Sequence, residues 1–342
     1  MTRRLFILLG LVAFSAPIQQ TQPFKFPLKP GSVRFAVIGD MGTGEAPQYQ
    51  VAQQMVDARQ SFRFEFVIML GDNIYGGNRP RDFETKFELP YKALLDSGVK
   101  FYASLGNHDG PAERSYKLFN MNGANYYAFT KGNARFFALD SNYMDPKQLS
   151  WLQSQLLDAA GSDWKICFFH HPLYSSARAH GAATDLRLLL EPLFVQFGVN
   201  VVLAGHEHVY EHIKPQHGIN YFTEGSSGQL RRGNLKPDST MEKGFDSDNA
   251  FMLVEIAGDE MYFEVISRTG EIVDSGVIPR TAQKIPAAAI LMDQRRPSSP
   301  LISSFLRPPT RASGRPLSVT ATATMISFAR GASLMRTSMP SK

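Results

Sequence analysis

The sequence has a single cysteine, Cys167, among its 342 residues. One thiol excludes an intramolecular disulfide, so a hydrophobic core or bound metals must hold the fold together. Cys167 lies in the apolar run of residues 164–169, which is typical of a packed strand residue and not of a nucleophile. No cysteine stands directly after the N-terminal apolar segment, which excludes a lipid attached there.

Long hydrophobic runs are also absent. After Thr-Arg-Arg at residues 2–4, the apolar run of residues 5–13 is too short to span a bilayer with ease, and the small residues Ala13, Ser15 and Ala16 follow. This pattern predicts a cleavable signal peptide over residues 1–16 and export to the periplasm or the medium, with an uncleaved anchor as the alternative. Residues 17–31, rich in Pro and Gln, predict a linker.

Excess positive charge is absent from most of the chain, although the total is +5. Residues 281–342 contain nine Lys and Arg but one Asp, a net charge of +8, so the first 280 residues carry −3. This Ser-, Pro- and Thr-rich segment has no hydrophobic period, which predicts a disordered, solvated tail. Binding of nucleic acid or an anionic membrane through the tail is the alternative.

Residues 32–280 alternate short apolar runs with stretches of helical period, which indicates one α/β domain. We predict helices over residues 47–59, 83–96, 146–159 and 184–197. Four later runs predict antiparallel strands, and we expect them to form a second sheet packed on the first: residues 219–223, 250–256, 261–267 and 271–278. There is no internal repeat.

Five apolar runs stop at a residue that can bind a metal. The runs are residues 33–38, 64–70, 100–105, 164–169 and 199–204, and the residues that follow them are Asp40, Asp72, Asn107, His170 and His206. Ligands bind outside the carboxyl ends of the strands in open α/β sheets, so we expect these side chains on one rim. A glycine precedes four of them, as expected where the backbone turns sharply.

All eight histidines fall between His108 and His217. Carboxylates, an amide and imidazoles together suit iron, manganese or zinc and not calcium, which prefers oxygen ligands alone. One ion needs three or four ligands, and this set is larger. The surplus points to a two-metal site with a bridging carboxylate, an arrangement that hydrolyses phosphate esters.

Five motifs, in order and spacing, resemble those of the calcineurin-like metallophosphoesterases: GDMG (39–42), GDNIY (71–75), GNHD (106–109), HHP (170–172) and GHEH (205–208). The general superfamily pattern has a histidine where this sequence has Gly42, and Tyr75 matches the tyrosine that marks the purple acid phosphatase branch. The resemblance covers residues 33–230 and implies a four-layer α/β/β/α sandwich, two facing mixed β-sheets flanked by helices. The first 30 residues leave no room for the extra N-terminal β domain of the plant enzymes.

The resemblance implies two metal sites that share Asp72. It assigns to the first site Asp40, Asp72, Tyr75 and His208, and to the second Asp72, Asn107, His170 and His206. A hard, anionic Tyr75 phenolate favours a trivalent ion, so Fe(III) with a divalent Fe, Zn or Mn is expected. A packing role for Tyr75 is the alternative, and a slip by one residue in HHP would replace His170 by His171, which otherwise supports a ligand.

Three further residues are candidates for catalysis. His108 matches the family histidine that contacts phosphate and assists the leaving group, and its ordinary pKa near ~6.5 suits proton donation in mild acid. His180 resembles a second histidine on the substrate side. Asp109 is expected to orient His108 through a hydrogen bond.

Other polar residues near the motifs have less specific patterns. We expect His212 and His217 at the surface or beside ligands, and Glu207 and Glu211 either solvated or holding neighbouring groups. Residues 225–234 (GSSGQLRRGN) lack the spacing of a phosphate-binding loop and do not open a helix. Arg231 or Arg232 in this segment is a candidate for contact with substrate.

The expected function is an exported phosphatase that hydrolyses phosphate monoesters of small molecules. A metal-bound hydroxide would attack phosphorus in line while His108 protonates the departing alcohol. One alternative is a phosphodiesterase or nucleotidase with the same metal core. Another, of a different class, is a non-catalytic binding module whose basic tail engages an anionic polymer; the sequence predicts no oligomeric state.

Overall fold

The computed structural model describes residues 25–159 and 162–280. The predicted signal peptide (residues 1–16) and basic tail (residues 281–342) lie outside the described residues, as does most of the predicted linker. Residues 25–31 form neither helix nor strand, yet the N–H groups of Leu28 and Lys29 each donate to the buried Glu255 carboxylate at 2.9 Å. No helix in the described part is long and apolar enough to cross a membrane.

The described chain forms two mixed β-sheets with helices between the strands. In chain order the strands are β1 (Val33–Ile38), β2 (Phe66–Met69), β3 (Lys100–Ala103), β4 (Tyr127–Lys131), β5 (Ala134–Ala138), β6 (Trp164–Phe168), β7 (Val201–Ala204), β8 (Tyr210–Gln216), β9 (Ile219–Glu224), β10 (Met241–Phe245), β11 (Ala250–Ala257), β12 (Glu260–Ser267) and β13 (Ile272–Pro279). The helices are α1 (Ala46–Arg59), α2 (Pro80–Phe83), the π-helical turn Glu84–Glu88, α3 (Lys92–Asp96), α4 (Pro146–Asp158) and α5 (Thr184–Phe197), with 3₁₀ turns at Glu113–Ser115 and Lys117–Phe119.

Each sheet combines parallel and antiparallel strands: the parallel strands form one end of the first sheet and the centre of the second. The first runs β13-β12-β11-β1-β2-β3, with β1, β2 and β3 parallel. The second runs β10-β8-β9-β7-β6-β5-β4, with β5, β6, β7 and β9 parallel. Parallel strands end on the same side of a sheet, so the carboxyl ends of β1–β3 form one edge and those of β6 and β7 another.

Alternate side chains of the parallel strands pack on opposite faces, which produces four layers. In β1, Phe35 belongs to the core between the sheets, whereas Ile38 packs with Met55 of α1. In the second sheet, Phe136 faces the first sheet, and its ring meets that of Phe35 edge-on at 5.3 Å. Cys167 packs on the outer face with residues of α4 and α5 and is fully buried. The predicted α/β/β/α sandwich and the packed cysteine are confirmed.

Two expectations about elements are wrong. The predicted helix over residues 83–96 is broken, because Pro90 has no N–H to continue the ladder and the chain leaves the α-helical register between residues 84 and 91. The strands from Ala250 onward do not build the second sheet: β11 pairs with β1 and extends the first. The second sheet consists of β4–β10, of which the sequence indicated β6, β7 and β9.

Candidate metal centre

The five strand ends singled out in the sequence meet at one place. Asp40, Asp72 and Asn107 follow β1, β2 and β3 of the first sheet, and His170 and His206 follow β6 and β7 of the second. Two contacts join the sheets there: the His206 N–H donates to Asp40 Oδ2 at 2.8 Å, and Asn107 Oδ1 lies 2.9 Å from His170 Nε2. The predicted common rim is therefore present in the structure.

One group of donor atoms surrounds Nε2 of His170. This atom lies 2.9 Å from Asn107 Oδ1, 3.0 Å from His206 Nδ1 and 3.5 Å from Asp72 Oδ1. The other ring nitrogen, Nδ1, lies 2.9 Å from the Leu70 carbonyl, which can only accept, so Nδ1 carries the hydrogen and Nε2 holds a lone pair. Lone pairs of nitrogen and oxygen thus converge on one point, as ligands of a cation do.

A second group lies beside the first and shares Asp72 with it. Tyr75 Oη lies 3.2 Å from Asp40 Oδ1 and 3.3 Å from His208 Nε2, and the last two atoms are 3.4 Å apart. A carboxylate oxygen of Asp72 lies within 4.8 Å of donor atoms of Asp40 and His208. Asp72 is buried and stands between the two groups. All seven side chains predicted to bind metal are therefore brought together.

Three of these donors have left-handed backbone conformations. The φ angles are 52° at Asp40, 49° at Asp72 and 70° at His206. Such a conformation costs on the order of 1–3 kcal/mol in a residue with a side chain and persists only where the surroundings enforce it. The sharp turn is therefore made by the ligand residue itself, and not mainly by the glycine before it as the sequence had indicated.

The glycines before the ligands serve mainly to leave space. A Cβ at Gly106 would lie 2.1 Å from Asp72 Oδ1, and one at Gly205 would lie 2.5 Å from Asp40 Oδ2. Gly71 is the exception, because its own φ is 91°. The small residues thus let the buried carboxylates approach the neighbouring backbone.

Without a cation the site is electrostatically incomplete. Burial, and then the charge of Asp72, raise the pKa of Asp40. Burial also lowers the pKa of His206 to about 2, with the neighbouring imidazoles adding to the effect, and that of His208 to about 4. A cation would stabilise both the ionised carboxylates and the neutral imidazoles.

The donor atoms fit two metal ions. Donors about 2.0–2.2 Å from a common ion lie roughly 3 Å from one another, which is the spacing observed within each group. The first group offers two carboxylates, a phenol and an imidazole, and the second a carboxylate, an amide oxygen and two imidazoles. Mixed oxygen and nitrogen ligands of this kind suit iron, zinc or manganese.

Asp109 does not orient His108. Its Oδ1 accepts from the backbone N–H groups of Asn73 and Ile74, and its Oδ2 accepts from Asn73 Nδ2 and the Gly106 N–H. Within the described residues no hydrogen bond joins this carboxylate to the His108 ring. The expected hydrogen bond from Asp109 to His108 is therefore wrong. Asp109 instead connects the loop after β2 to the loop after β3.

His108 is exposed at the rim, next to Asn107. Its backbone N–H donates to Asp72 Oδ1 at 2.9 Å, and its ring lies 5.1 Å from that of Tyr75, centroid to centroid. The carboxylate that both donor groups share thus fixes the His108 backbone beside the centre. This position suits contact with a substrate.

The two glutamates of GHEHVYEH are buried and hold one loop. Glu207 Oε1 accepts from the N–H groups of His180 and Gly181, while Oε2 accepts from Asn234 Nδ2 at 2.9 Å. Glu211 accepts from Ser175 Oγ and the Ser176 N–H. Glu207 and Glu211 are therefore not solvated, and the alternative expectation, that they hold neighbouring groups, is confirmed.

The loop that these glutamates hold carries His180 to the centre. The His180 ring lies 4.3 Å from that of His206, and its Nε2 is 2.9 Å from Arg231 Nη1. His171 lies on the other side of His206 at 4.4 Å, and its Nδ1 is 2.8 Å from Ser141 Oγ. A ring nitrogen of His171 also lies within 4.8 Å of those of His170 and His206.

The remaining candidates lie away from the centre. His212 stacks on Phe222 and lies 3.2 Å from Asp274, and the exposed His217 is 3.9 Å from Glu191. Arg232 turns toward Asp248.

Sequence reasoning missed the buried Glu224 and Ser227 behind Asp40. Ser227 Oγ accepts from the Gly39 N–H and lies 3.5 Å from Glu224 Oε1, so the two residues support the turn that carries the ligand. The only signal in the sequence was their position at and just after the end of β9.

Comparison of the sequence with known proteins identifies a family. The model of the calcineurin-like phosphoesterase family matches residues 33–210. Tartrate-resistant acid phosphatase type 5 of Rattus norvegicus is 26% identical over 300 residues, which cover 73% of this chain and 91% of that protein.

Two solved structures share the fold at low sequence identity. GAP50, described as the anchor in the inner membrane complex of Plasmodium, has a TM-score of 0.65 at 21% identity and covers 77% of this chain and 95% of its own. Purple acid phosphatase PPD1 from yellow lupin (Lupinus luteus) seeds has a TM-score of 0.62 at 19% identity and covers 76% and 56%. The chain therefore belongs to the calcineurin-like phosphoesterase family of metal-dependent phosphoric ester hydrolases, and the relatives it is similar to include acid phosphatases.

Proposed function

We propose that the protein hydrolyses phosphate monoesters at a dinuclear metal centre and that it acts after export. The observation that carries this proposal is the buried Asp72, which stands between two groups of donor atoms. Two groups that share a carboxylate are the arrangement needed to hold a pair of ions about 3.5–4 Å apart. The apolar segment of residues 5–13 supports export.

The side chains around the centre have separate tasks in this reaction. Two bound cations would polarise the phosphoryl oxygens and lower the pKa of a coordinated water. His108, exposed beside Asn107, is placed to contact the phosphate and to give a proton to the departing alcohol. His180, whose ring packs 4.3 Å from that of His206, is placed on the substrate side of the centre.

We propose Fe(III) and a divalent Fe, Zn or Mn as the metal pair. Tyr75 Oη lies between Asp40 Oδ1 and His208 Nε2, and burial together with both neighbouring carboxylates raises the pKa of this phenol. Only a strongly charged cation would displace the proton of the Tyr75 phenol, which favours a trivalent ion in this position. A visible absorption band that disappears in Tyr75→Phe, together with metal analysis, tests this assignment.

The dinuclear centre is tested by Asp72→Asn. We expect kcat/KM with p-nitrophenyl phosphate to fall by more than about a hundredfold, the upper range for residues that only orient a ligand. Bound metal should fall as well, because both ions lose a shared anionic ligand. Asp57→Asn, a change on the exposed part of α1, is the control. Near-normal activity and metal content in Asp72→Asn would contradict the proposal.

The preference for monoesters is tested separately. The rates with p-nitrophenyl phosphate and bis(p-nitrophenyl) phosphate are compared in the metal-loaded protein. A faster diester reaction would support the phosphodiesterase alternative, which uses the same centre. N-terminal sequencing of the mature protein tests export, since a start near residue 17 is expected after cleavage.

A further inference from the structure

Lys86 holds the main chain of Tyr75, one of the predicted ligands. It lies in the π-helical turn Glu84–Glu88, and its Nζ atom donates to the Tyr75 carbonyl. The same ammonium group lies 3.4 Å from Asp82 Oδ1. The Lys86 side chain is 19% exposed, so most of it is covered by the protein. A largely buried cation thus binds the backbone of a residue whose side chain belongs to the metal centre.

The main chain of Lys86 is held by the π-helical turn and by Gln48. The Leu89 N–H donates to the Glu84 carbonyl at 2.9 Å, five residues back, so the turn contains one residue more than an α-helical turn. Such turns are rare and are frequent at functional sites. The buried Gln48 donates through Nε2 to the Lys86 carbonyl at 2.6 Å and accepts at Oε1 from the Gly44 N–H at 2.7 Å. Lys86 is therefore connected to the loop after β1 as well as to the loop after β2.

The chain that follows Tyr75 has little stiffness of its own. Gly76 and Gly77 come next, with φ angles of 80° and 142°. Glycine loses more conformational freedom than other residues when it is ordered. A Cβ at Gly76 would lie 3.7 Å from Lys86 Nζ, and one at Gly77 would lie 3.4 Å from Asp82 Oδ2. The ion pair of Lys86 and Asp82 therefore lies against both glycines and restrains them.

The Tyr75 phenol is useful to the centre only where it now stands. Its oxygen lies 3.2 Å from Asp40 Oδ1 and 3.3 Å from His208 Nε2. On the main chain, the Tyr75 N–H donates to the Gly42 carbonyl at 2.9 Å, and the Tyr75 carbonyl accepts from Lys86. One hydrogen bond on each side of the residue thus sets the direction of its side chain.

We propose that Lys86 is a positioning residue for Tyr75, which holds the phenol in the donor group of Asp40 and His208 and so retains the trivalent ion there. This inference rests on the proposed function, because it requires Tyr75 to bind a metal. Asp82 offsets the charge of Lys86, so the contribution of Lys86 is its hydrogen bond to the Tyr75 carbonyl. A charged donor makes this bond stronger than one between neutral groups.

The two donor groups should respond differently to the loss of Lys86. Tyr75 belongs to one group only. The other group contains Asp72 and three side chains of the remaining strand ends, Asn107, His170 and His206, and its contacts do not involve Lys86. Loss of Lys86 should therefore weaken binding of the trivalent ion and spare the divalent ion, whereas general damage to the fold would weaken both.

The experiment uses Lys86→Met in the full-length protein loaded with iron and zinc. Methionine keeps an unbranched apolar side chain and removes the donor. The affinity for Fe(III), measured by competition with a soluble chelator, should fall about tenfold to a hundredfold, as when a partner of a ligand is removed. The affinity for zinc should stay within about twofold. The visible band that depends on Tyr75 should weaken, and Lys86→Arg, which keeps a cationic donor, should lie between Lys86→Met and wild type.

Lys92→Met is the matched control. It makes the same chemical change in an exposed lysine of α3 that pairs with Asp96 at 2.8 Å. Both metal affinities and the visible band should equal those of wild type. An unchanged affinity for Fe(III) in Lys86→Met, or an equal loss of both ions, overturns the inference.

Hydrogen exchange in the chelator-treated protein gives a measurement that needs no metal. The amides of residues 75–77 should exchange at least about tenfold faster in Lys86→Met than in Lys92→Met, while those of β11 keep their protection. Faster exchange in β11 as well would indicate general destabilisation and overturn the inference. A wild-type protein that binds no iron and has no visible band contradicts the proposed metal pair instead, and unchanged exchange at residues 75–77 would still overturn the role of Lys86.

Discussion

At the scale of single residues, Asp109 helps to position the centre without being a predicted ligand. It binds two loops through four N–H groups, and burial, followed by the charge of Asp72, raises its pKa to about 7. An amide in its place would turn one donor toward the N–H groups. The loops after β2 and β3 would then lose part of the connection that holds Asp72 against Asn107.

Asp109→Asn should therefore lower metal content as well as activity. We expect kcat/KM to fall about tenfold to a hundredfold, and metal affinity with it, as when a partner of a ligand is removed. His108→Ala should lower kcat/KM at unchanged metal content, because the His108 side chain is not one of the predicted metal ligands. Activity assays and metal analysis of both variants distinguish the roles. If Asp109→Asn kept its metals and had the same kinetics as His108→Ala, the result would indicate that Asp109 acts by orienting His108.

Single residues also mark what a sequence can reveal about this site. The seven predicted ligands were identifiable because each follows an apolar run or stands in a recognisable motif. The partners of Asp109, Glu207 and Glu211 were not, because most of them are backbone N–H groups, and they lie up to 36 positions away. Which N–H group a carboxylate meets depends on loop paths, and those are set only when both sheets are packed.

At the scale of elements, the strand ends place the ligands. β1 is followed directly by a glycine and an aspartate, β2 by the same pair after one residue, and β3 by Gly106 and Asn107 after two residues. The clash at Gly106 would involve the carboxylate and backbone of the buried Asp72, at 2.1 and 2.3 Å. Space beside the ligand is thus built into the turn.

Gly106→Ala should disturb the centre without a change of charge. The added methyl group pushes Asp72 from its place between the donor groups, so metal content and kcat/KM should both fall by at least about tenfold. Gly276→Ala is the control, since its Cβ would meet only the Phe263 ring, in β12 away from the centre. Normal metal binding in Gly106→Ala would show that Asp72 is free to shift.

Glu224 at the end of β9 gives the metal-free protein a defined pH dependence. Burial raises its pKa from 4.5 to about 8, so the native state keeps a proton that the unfolded chain loses above pH 4.5. Its contribution to stability is complete below about pH 4.5 and is lost as the pH rises to about 8. We expect the free energy of unfolding of the chelator-treated protein to decrease across this interval, by an amount on the order of a few kcal/mol. Urea unfolding at several pH values should show a flatter profile for Glu224→Gln; equal slopes would contradict this origin.

Elements with a regular pattern were predicted well, and those determined by partners were not. α1 and α5 were recovered almost to the residue, because their apolar positions and ends are local features. The assignment of β11–β13 to a sheet was wrong, since pairing with β1 depends on packing over more than 200 positions. The short β4–β5 hairpin was not predicted at all.

At the scale of the whole molecule, every predicted site residue and Arg231 lie between the first and last strands. β13 ends at Pro279, and the Arg280 guanidinium pairs with Asp259. The basic segment that follows, with its net charge of +8, contributes none of the donors described above. The predicted site residues and the excess positive charge thus lie in different parts of the sequence, before and after Arg280.

Truncation after Arg280 should therefore leave hydrolysis intact. We expect kcat/KM with p-nitrophenyl phosphate within about twofold of the full-length protein, because residues 33–280 contain the whole centre. Retention on immobilised heparin at low salt should decrease, since nine basic residues are removed. Retained binding with no hydrolysis in either form would favour the non-catalytic alternative.

The origin of the donors in both sheets has a further consequence for the whole molecule. β1, β2 and β3 supply one set and β6 and β7 the other, yet the chain's only thiol is buried on an outer face and offers no covalent link between the layers. Each ion bound there would therefore serve as a reversible cross-link between the sheets. Loss of the ions would remove these cross-links, so the metal-free protein would separate most easily between the two sheets at the metal centre.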